Sequence, residues 1–329
     1  MSAATHKQVE DDTEWSAEPS AIAIAAEVME GLSQTPKQIA PKYFYDQKGS
    51  ALFDAITDLD DYYVTRVEKH IFAKHRADIC AAIGKGKILV EPGAGSCEKI
   101  KWLLPELQPA AYVPMDISAD HLRTSADGFS ATNPELKVLP QACDHTIGIE
   151  LDIAVQAELG EAPPVFFYPG SSIGNFEPDA AVKFLCDMRA HMNSEGGLLI
   201  GVDAKKDEDI LHAAYNDAEG ITAEFNVNVL DHLNRLLEGD LDSEKFIHHA
   251  LYNKKYGRIE MHLRCIGHHS ARLAGQQLEF SEGELIHTEN SYKYHPDEFI
   301  ALAKRAGFAH QNLWQDDRGW FSVMYFVPD

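Results

Sequence analysis

The sequence predicts an α/β fold in which helices cover both faces of a mainly parallel sheet. Between residues 86 and 205, continuous apolar runs alternate with helical segments, which is the pattern of strands buried on both faces. Two further apolar runs, at 311–315 and 321–326, predict an antiparallel hairpin on the sheet edge. Between these regions, apolar and polar residues alternate at 259–265, and this pattern predicts a separate antiparallel sheet with one wet face.

Each predicted element follows from a local pattern. In the parallel region we expect strands at 87–91, 111–116, 136–144, 164–168 and 196–203, with helices at 98–107, at 121–129 and from Pro178 onward. Beyond residue 206 we expect a helical region up to Leu237, then short strands, then a strand at 285–294. Four apolar residues share one face of a last helix between Pro296 and Gly307, residue types that begin and end helices well.

The composition limits the class of protein. The chain has 329 residues, a net charge of −23, 45% hydrophobic and 25% charged residues, as expected of a globular protein with two domains or one large insertion. The negative charge argues against nucleic acid as a partner, because a polyanion would be repelled. Five scattered cysteines without C-x-x-C spacing indicate reduced thiols in a cytoplasmic protein, with neither disulfides nor a zinc site.

The N-terminus predicts neither a membrane anchor nor a signal peptide. Residues 1–20 are polar, acidic and aperiodic, and they predict a disordered tail. The apolar run at 21–26 is too short to span a membrane and lacks a basic flank. We therefore expect no membrane partner, and an acidic surface without an evident apolar stripe favours a monomer.

A glycine turn after the first strand indicates a nucleotide site. Gly93 and Gly95 stand between Glu91 and the predicted helix, so that backbone N–H groups face an open crevice. Asp116 ends the second strand about 20 residues later, the spacing of a carboxylate that accepts from ribose hydroxyls. An NAD site would have a third glycine where this chain has Glu98. Glu91 and the missing glycine favour S-adenosylmethionine (SAM), which carries a positive sulfonium and no phosphate.

Two polar segments are candidates for substrate contacts. Asn175 follows the fourth strand, and its amide suits the α-amino and α-carboxylate groups of an amino acid. Taken alone, it is better explained as a cap of the helix that begins at Pro178. Glu289 and Ser291 share one face of a predicted strand, where a carboxylate and a hydroxyl suit an imidazole. Taken alone, they are better explained as solvated groups on a wet strand face.

Aromatic and histidine clusters allow weaker inferences. Tyr43, Tyr45, Tyr62 and Tyr63 crowd a short region, and rings of this kind suit a quaternary ammonium product through cation–π attraction. Ordinary packing is the better explanation for Tyr43 and Tyr63. The histidine pairs at 248–249 and 268–269 are expected to be exposed to solvent, because no carboxylate or cysteine completes a metal site at useful spacing.

Taken together, these segments resemble the L-histidine Nα-methyltransferase family of ergothioneine biosynthesis. The resemblance is carried in order by the glycine turn and by residues 41–46, 49–54, 62–66, 170–175, 215–217, 259–261 and 288–293. It implies a Rossmann-like class I SAM-dependent methyltransferase sheet with a C-terminal antiparallel hairpin, plus an α+β substrate-binding domain. The implied bounds are 21–67 and 206–292 for the substrate-binding domain, and 68–205 and 293–329 for the SAM-binding domain. The implied reaction methylates the α-amino group of histidine three times, giving hercynine, without a metal.

The resemblance also implies a role for each matching position. It assigns SAM contacts to five residues: Gly93, Lys99, Asp116, Asp144 and His145. It assigns the amino and carboxylate ends of the substrate to Tyr62, Asn175 and Tyr215, with Tyr45 close by, and makes Tyr62 and Asn175 the catalytic pair. Glu289 and Ser291 would hold the imidazole, with Met261 lining the same pocket. Two residues depart from the family pattern near the cofactor, namely Pro92 and His145.

Three rival interpretations stay open. The same chemistry on tryptophan, tyrosine or a histidine thio-derivative is the nearest, although Glu289 with Met261 favours imidazole over indole. An NAD-dependent oxidoreductase is disfavoured by the missing third glycine and by the terminal hairpin. A SAM-binding regulator without catalysis would bind the nucleotide and convert no amino acid.

Overall fold

Fourteen strands and nine α-helices form the part of the chain that the computed structural model describes, residues 20–159 and 162–329. The strands are β1 (Lys37–Gln38), β2 (Ile88–Pro92), β3 (Ala111–Asp116), β4 (Lys137–Val138), β5 (Gln141–Ala142), β6 (Pro164–Tyr168), β7 (Gly197–Asp203), β8 (Phe246–Asn253), β9 (Arg258–Cys265), β10 (His269–Leu273), β11 (Gln276–Phe280), β12 (Leu285–Tyr292), β13 (Phe308–Gln315) and β14 (Phe321–Pro328). The helices are α1 (Ala21–Ser33), α2 (Gln47–Asp58), α3 (Tyr63–Ile83), α4 (Ala119–Thr132), α5 (Ile153–Leu159), α6 (Pro178–Ala190), α7 (Glu208–Tyr215), α8 (Ile221–Leu237) and α9 (Pro296–Arg305).

The larger sheet has the strand order β13-β14-β7-β6-β2-β3-β4, with β5 also paired to β3. Strands β7, β6, β2, β3, β4 and β5 pair in parallel, whereas β14 runs antiparallel to both β7 and β13. The predicted parallel sheet and its C-terminal hairpin are therefore confirmed. From β2 the chain moves first toward β4 and later toward β7, so a crevice opens at the carboxyl ends of β2 and β6.

Two apolar cores cover the two faces of this sheet. Leu89 and Phe167 belong to the core that contains α3, whereas Val90 and Phe166 belong to the core that contains α6 and α9. Neighbouring residues of one strand point to opposite faces, which explains why these strands are apolar throughout. No helix in the described ranges is both long and apolar enough to cross a membrane.

A smaller sheet with the order β1-β12-β9-β8 stands beside the carboxyl ends of the larger one. The N-terminal strand β1 pairs in parallel with β12, so the first segment of the chain joins the insertion that follows β7. Helix α8 packs against α2 and β8. This arrangement supports the proposed domain bounds, which stay a proposal. The expected tail at 1–20 lies outside the described residues, except Ser20, which accepts from Ala23 N and caps α1.

Two predicted elements differ in the structure because of prolines. The helix expected at 98–107 is a 3₁₀ turn, Lys99–Trp102, followed by turns. Pro105 disfavours helical geometry at the residue before it and cannot supply the hydrogen bond of a continuing helix. The strand expected at 136–144 is divided into β4 and β5, and Pro140, which cannot donate to a strand ladder, lies between them.

The prediction that one face of β9 is exposed to solvent is also wrong in part. Arg264 is exposed, but His262 is only 7% exposed. His262 lies between His249 and His287 on the two strands that flank β9, and these rings cover it. His248, expected in solvent, is half-buried and contacts Asn226 Nδ2 and the carbonyl oxygen of Tyr215, each at 2.8 Å. Both differences arise because the helices and strands of the insertion pack around these side chains.

Candidate active site

Two adjoining cavities lie where the two sheets meet. The larger contains about 1410 Å³ of empty space, part of it open to solvent, and the smaller contains about 570 Å³. Tyr45, Phe53, Ser172 and Asn175 line both of them. A ligand in one cavity can therefore contact a ligand in the other at the junction that these four side chains form.

The glycine turn forms one wall of the larger cavity. Gly93 has a φ of 69° and Gly95 a φ of 51°, a region that glycine enters without steric cost. A Cβ at Gly93 would lie 3.3 Å from Cε1 of His145, whereas a Cβ at Gly95 would meet nothing within 4 Å. Glycine is therefore needed at Gly93 both for the turn and for the close approach of the His145 ring.

Two carboxylates line this cavity, one at the end of β3 and one in the loop after β5. Asp116 ends β3 and accepts from Gly95 N at 2.9 Å and from Ser118 N at 3.0 Å. Each of its oxygens keeps a second lone pair for a ligand hydroxyl. Asp144 pairs with Lys42 at 2.8 Å. Burial alone would raise the pKa of Asp144, but hydrogen bonds from Lys42 and Thr146 outweigh burial and lower the pKa.

His145 lies in an aromatic corner of the same cavity, edge-on to Tyr168 and tilted against Phe184. Its ring centroid is 5.9 Å from that of Phe184 and 6.2 Å from that of Tyr168. Burial lowers the pKa of His145, against the opposing influence of Asp116 and Asp144, so the ring is neutral. Its buried Nδ1 has no hydrogen-bond partner within the described chain. This atom offers a polar contact to a ligand held against the ring.

The charges of the larger cavity fit SAM and oppose a dinucleotide. Four carboxylates and one lysine line it, namely Asp54, Asp116, Asp144, Glu177 and Lys42. A diphosphate would be repelled by this surplus of negative charge, whereas a positive sulfonium is attracted. Asp116 suits a ribose, the His145 corner suits an adenine, and Gly93 and Gly95 lie between them.

Lys99 lines neither cavity, although its Nζ lies close to Gly170, which lines the smaller one. Its Nζ pairs at 2.8 Å with Glu68, a fully buried acid on α3, and Glu68 also accepts from Gly170 N at 2.8 Å. Glu68 thus ties the segment after the glycine turn to the segment after β6. The SAM contact predicted for Lys99 stays a prediction, and the structure shows a bridging ion pair at this residue.

The segment after β6 places Asn175 at the junction of the cavities. Gly174 packs so closely on β12 that a Cβ there would lie 2.6 Å from the carbonyl oxygen of Tyr292. Asn175 Nδ2 consequently lies 3.4 Å from Glu289 Oε2. The alternative of a helix cap is wrong, because Glu177 occupies the N-cap position of α6 and no side chain caps it.

Glu289 is a buried acid in the wall of the smaller cavity. It is 8% exposed, and Ser291, on the same face of β12, is 5% exposed, so the alternative of a solvated strand face is also wrong. Burial raises the pKa of Glu289 to about 7, with Lys293 opposing the rise. Met261 pairs with Glu289 across β9 and β12 and lines the same cavity.

Aromatic rings form the opposite wall of the smaller cavity. Tyr45 contacts Phe53 and Phe225 edge-on, each with ring centroids 5.8 Å apart, and Tyr62 meets Tyr215 at 6.4 Å. Burial raises the pKa of Tyr45 and of Tyr62 well above the usual value for tyrosine. Both hydroxyls therefore stay protonated near neutral pH.

Three buried charged residues near the cavities escaped the sequence analysis: Glu68, Asp203 and Lys293. Asp203 was recognised only as the end of a strand, although strand ends in such sheets carry functional carboxylates. Glu68 stands among apolar residues of α3, and an acid on an apolar helix face is the signal that was available. Lys293 lies two residues after Ser291, so that both would share one face of a strand. This signal is useful only when the bounds of the strand are known. Among the described residues, no group of three or more His, Cys, Asp or Glu is placed to hold a metal ion.

Comparisons with known proteins agree with this geometry. The family described as histidine-specific methyltransferase, SAM-dependent, matches residues 24–328. A histidine N-alpha-methyltransferase of Mycolicibacterium smegmatis is 37% identical over 324 residues, which cover 94% of this chain and 97% of that protein. One from Mycobacterium tuberculosis is 35% identical, covering 92% and 94%. Ergothioneine biosynthesis protein 1 of Neurospora crassa is 30% identical over 85% of this chain, which spans 32% of that protein. The chain therefore belongs to the SAM-dependent, histidine-specific methyltransferase family.

Proposed function

We propose that this chain transfers methyl groups from SAM to the α-amino nitrogen of L-histidine, three in succession, to give hercynine in the first step of ergothioneine biosynthesis. The observation that carries the proposal is the junction at Asn175. There a cavity suited to a nucleoside cation meets a smaller cavity that ends in Glu289 and Ser291. An amino acid whose ring lies between Glu289 and Ser291 can present its α-amino group at this junction.

The residues that line the smaller cavity contact the two ends of the substrate. Glu289 accepts a ring N–H, Ser291 contacts the second ring nitrogen, and Asn175 with Tyr62 orients the amine. Bound in the larger cavity, SAM supplies an electrophilic methyl group on a positive sulfur. Methyl transfer of this kind is an in-line displacement, so the main task of the chain is to aim the amine lone pair and exclude water.

The attacking amine must be neutral, and Tyr62 is a poor base for that purpose. Because burial raises the pKa of Tyr62 well above its usual value, its oxygen accepts a hydrogen bond from the amine without removing the proton. The free α-amino group has a pKa near enough to neutrality that a small shift on binding releases its proton. Each transfer leaves one positive charge on the nitrogen, which the first two products lose as a proton before the next transfer and which the third product keeps. Tyr45 and Tyr62 stabilise this charge through cation–π attraction.

The proposal is tested by incubating the purified protein with SAM and an equimolar pool of amino acids, followed by mass spectrometry. We expect histidine alone to gain the mass of three methyl groups. Methylation of tryptophan or tyrosine in its place would preserve the cofactor assignment and contradict the substrate. Binding of SAM without methylation of any amino acid would favour a regulator.

Replacing Asn175 by alanine should lower kcat/KM for histidine by about 100-fold, because a misplacement of about 1 Å at a reacting atom has an effect of this size. The affinity for SAM should change little, since the glycine turn, Asp116 and the His145 corner remain. Steady-state kinetics and SAM calorimetry on the same preparation measure the two effects. An unchanged kcat/KM would show that Asn175 does not orient the amine.

The pH dependence of histidine binding should report on Glu289. With a pKa raised to about 7 by burial, this carboxyl is protonated below that pH and ionised above it. The ionised form accepts the stronger hydrogen bond from a ring N–H. The variant Glu289→Gln resembles the protonated form at every pH. The titration of free histidine affects the wild type and the variant equally, so it cancels when the two proteins are compared.

The ratio of the dissociation constant of Glu289→Gln to that of the wild type should consequently rise between about pH 6 and about pH 8. Calorimetry with histidine at several pH values measures this ratio. A ratio that stays constant over the range would contradict an ionisable contact between Glu289 and the ring.

We further propose that the enzyme is a monomer of the cytoplasm, in which residues 21–67 and 206–292 act as the substrate-binding domain. All five cysteines are free, and Cys186 is exposed, which suits a reducing compartment. Light scattering on the purified chain tests the monomer, and a dimer mass would contradict it.

A further inference from the structure

A buried lysine lines the smaller cavity beside Glu289 and Ser291. Lys293, just past the end of β12, has a side chain that is 1% exposed. Its Nζ lies 2.9 Å from Asp203 Oδ2, 3.1 Å from Tyr215 Oη and 2.8 Å from Ser291 Oγ. An ammonium has three N–H donors and no acceptor, so these three oxygens use all of its hydrogen bonds.

The hydrogen-bond directions of the two hydroxyls follow from this arrangement. Tyr215 Oη and Ser291 Oγ both accept from Lys293, and they lie 2.8 Å apart, with Tyr215 donating to Ser291. The pair holds two protons, of which one is shared between the oxygens. With the shared proton on Tyr215, the O–H of Ser291 is left to point into the cavity. The pair therefore acts toward a ligand as a donor.

The two sides of the ring site consequently have opposite polarity. Glu289, when ionised, only accepts hydrogen bonds, whereas the hydroxyl pair held by Lys293 donates one. A neutral imidazole has one N–H and one lone-pair nitrogen, and it satisfies both sides at once. A pyrrole or an indole has the N–H but no lone-pair nitrogen, so the donor on the hydroxyl pair would be left unpaired.

We propose that Lys293 is a specificity-determining positioning residue, which orients the Tyr215–Ser291 hydroxyl pair as a donor and thereby selects a ring with a lone-pair nitrogen opposite Glu289. The inference rests on the proposed function, because it concerns the ring of the same substrate. Asp203, which is fully buried, supplies the charge that keeps Lys293 ionised in this position.

The test compares three ligands by calorimetry in the wild type and in Lys293→Met. The pyrrole analogue of histidine keeps an N–H and lacks the lone-pair nitrogen, whereas the thiazole analogue keeps that nitrogen and lacks the N–H. In Lys293→Met the hydroxyls are free to rotate, so the preference for histidine over the pyrrole analogue should fall by about tenfold, the equivalent of one neutral hydrogen bond. The preference over the thiazole analogue, which reports on Glu289, should stay unchanged.

Two outcomes would overturn the inference. The first is that Lys293→Met still prefers histidine over the pyrrole analogue as strongly as the wild type does. The second is that the preferences over the pyrrole and thiazole analogues fall equally, which would indicate a nonspecific disturbance of the cavity. If Lys293→Met does not fold, the same ratios are measured in Ser291→Ala and Tyr215→Phe. The preference for histidine over the pyrrole analogue should be lost in Ser291→Ala. It should be kept in Tyr215→Phe, because Lys293 still binds Ser291 there. An equal preference in the two variants would contradict the inference.

Failure of the inference differs from failure of the proposed function. If the wild type binds histidine and the ratios do not respond to Lys293, only the role of Lys293 is wrong. If the wild type binds no histidine in the presence of SAM, the substrate assignment itself is wrong.

Discussion

Replacing Glu289 by alanine is expected to remove nearly all turnover of histidine while the affinity for SAM is kept. Glu289 is buried in the wall of the smaller cavity, 3.4 Å from Asn175. Without it, the ring N–H of bound histidine would lose its acceptor inside the protein. Truncating one partner of a buried charged hydrogen bond costs about 2–5 kcal/mol, or roughly 30- to 5000-fold in kcat/KM.

The matched control is Glu289→Gln, which keeps the volume and one acceptor oxygen. We expect its kcat/KM to lie between those of the wild type and Glu289→Ala. Steady-state kinetics with histidine, and calorimetry with SAM, separate the effect on the substrate from any effect on the cofactor. Normal histidine turnover in Glu289→Ala would mean that the ring lies elsewhere.

Replacing Asp203 by asparagine is expected to cause the largest loss of stability. Asp203 is fully buried and accepts from Lys293 at 2.9 Å, from Lys206 at 2.5 Å and from the Tyr63 hydroxyl at 2.7 Å. Burial alone would raise the pKa of Asp203, but Lys293 and Lys206 outweigh burial and lower it. Removing this charge leaves two buried ammonium groups without a counter-ion, which should lower the free energy of unfolding by about 3–5 kcal/mol.

The exposed ion pair of Asp179 with Arg305 provides the control. Asp179 has a side chain that is 91% exposed, so Asp179→Asn makes the same chemical change where water replaces the lost partner. Its free energy of unfolding should change by less than about 1 kcal/mol. Denaturant titrations of both variants measure the difference. Equal stabilities would show that the charges around Asp203 are already solvated.

The position of the glycine turn and of Asp116 at one edge of the sheet could be predicted from the sequence because the signals are local, and their contacts with SAM stay a prediction. Gly93, Gly95 and Asp116 each follow directly from a buried strand, and parallel strands bring their carboxyl ends to one edge. The period of two residues along β12 likewise placed Glu289 and Ser291 on one face. The alternative of a wet face, which the strand taken alone favoured, was wrong because the segment after β6 packs across β12, a contact between residues more than 100 positions apart.

The buried charged residues beside the site could not be predicted in the same way. Lys293 and Asp203 are 90 positions apart, and the one local signal at Lys293, its spacing from Ser291 on one strand face, is useful only once the strand bounds are known. Its burial depends on how the smaller sheet sits on the end of β7, where Tyr294 N donates to the carbonyl oxygen of Asp203. The helix expected after the glycine turn was wrong for a local reason, since Pro105 interrupts the segment and only a 3₁₀ turn forms before it.

The central claim is that the two cavities join the methyl of SAM to the α-nitrogen of histidine. Tandem mass spectrometry of the product formed from L-histidine and SAM tests it most directly, because fragmentation separates the α-nitrogen from the ring. We predict a product with three methyl groups, all on the α-nitrogen. Methyl groups on the imidazole would contradict the account, because they would require the ring to lie at Asn175 and the amine at Glu289.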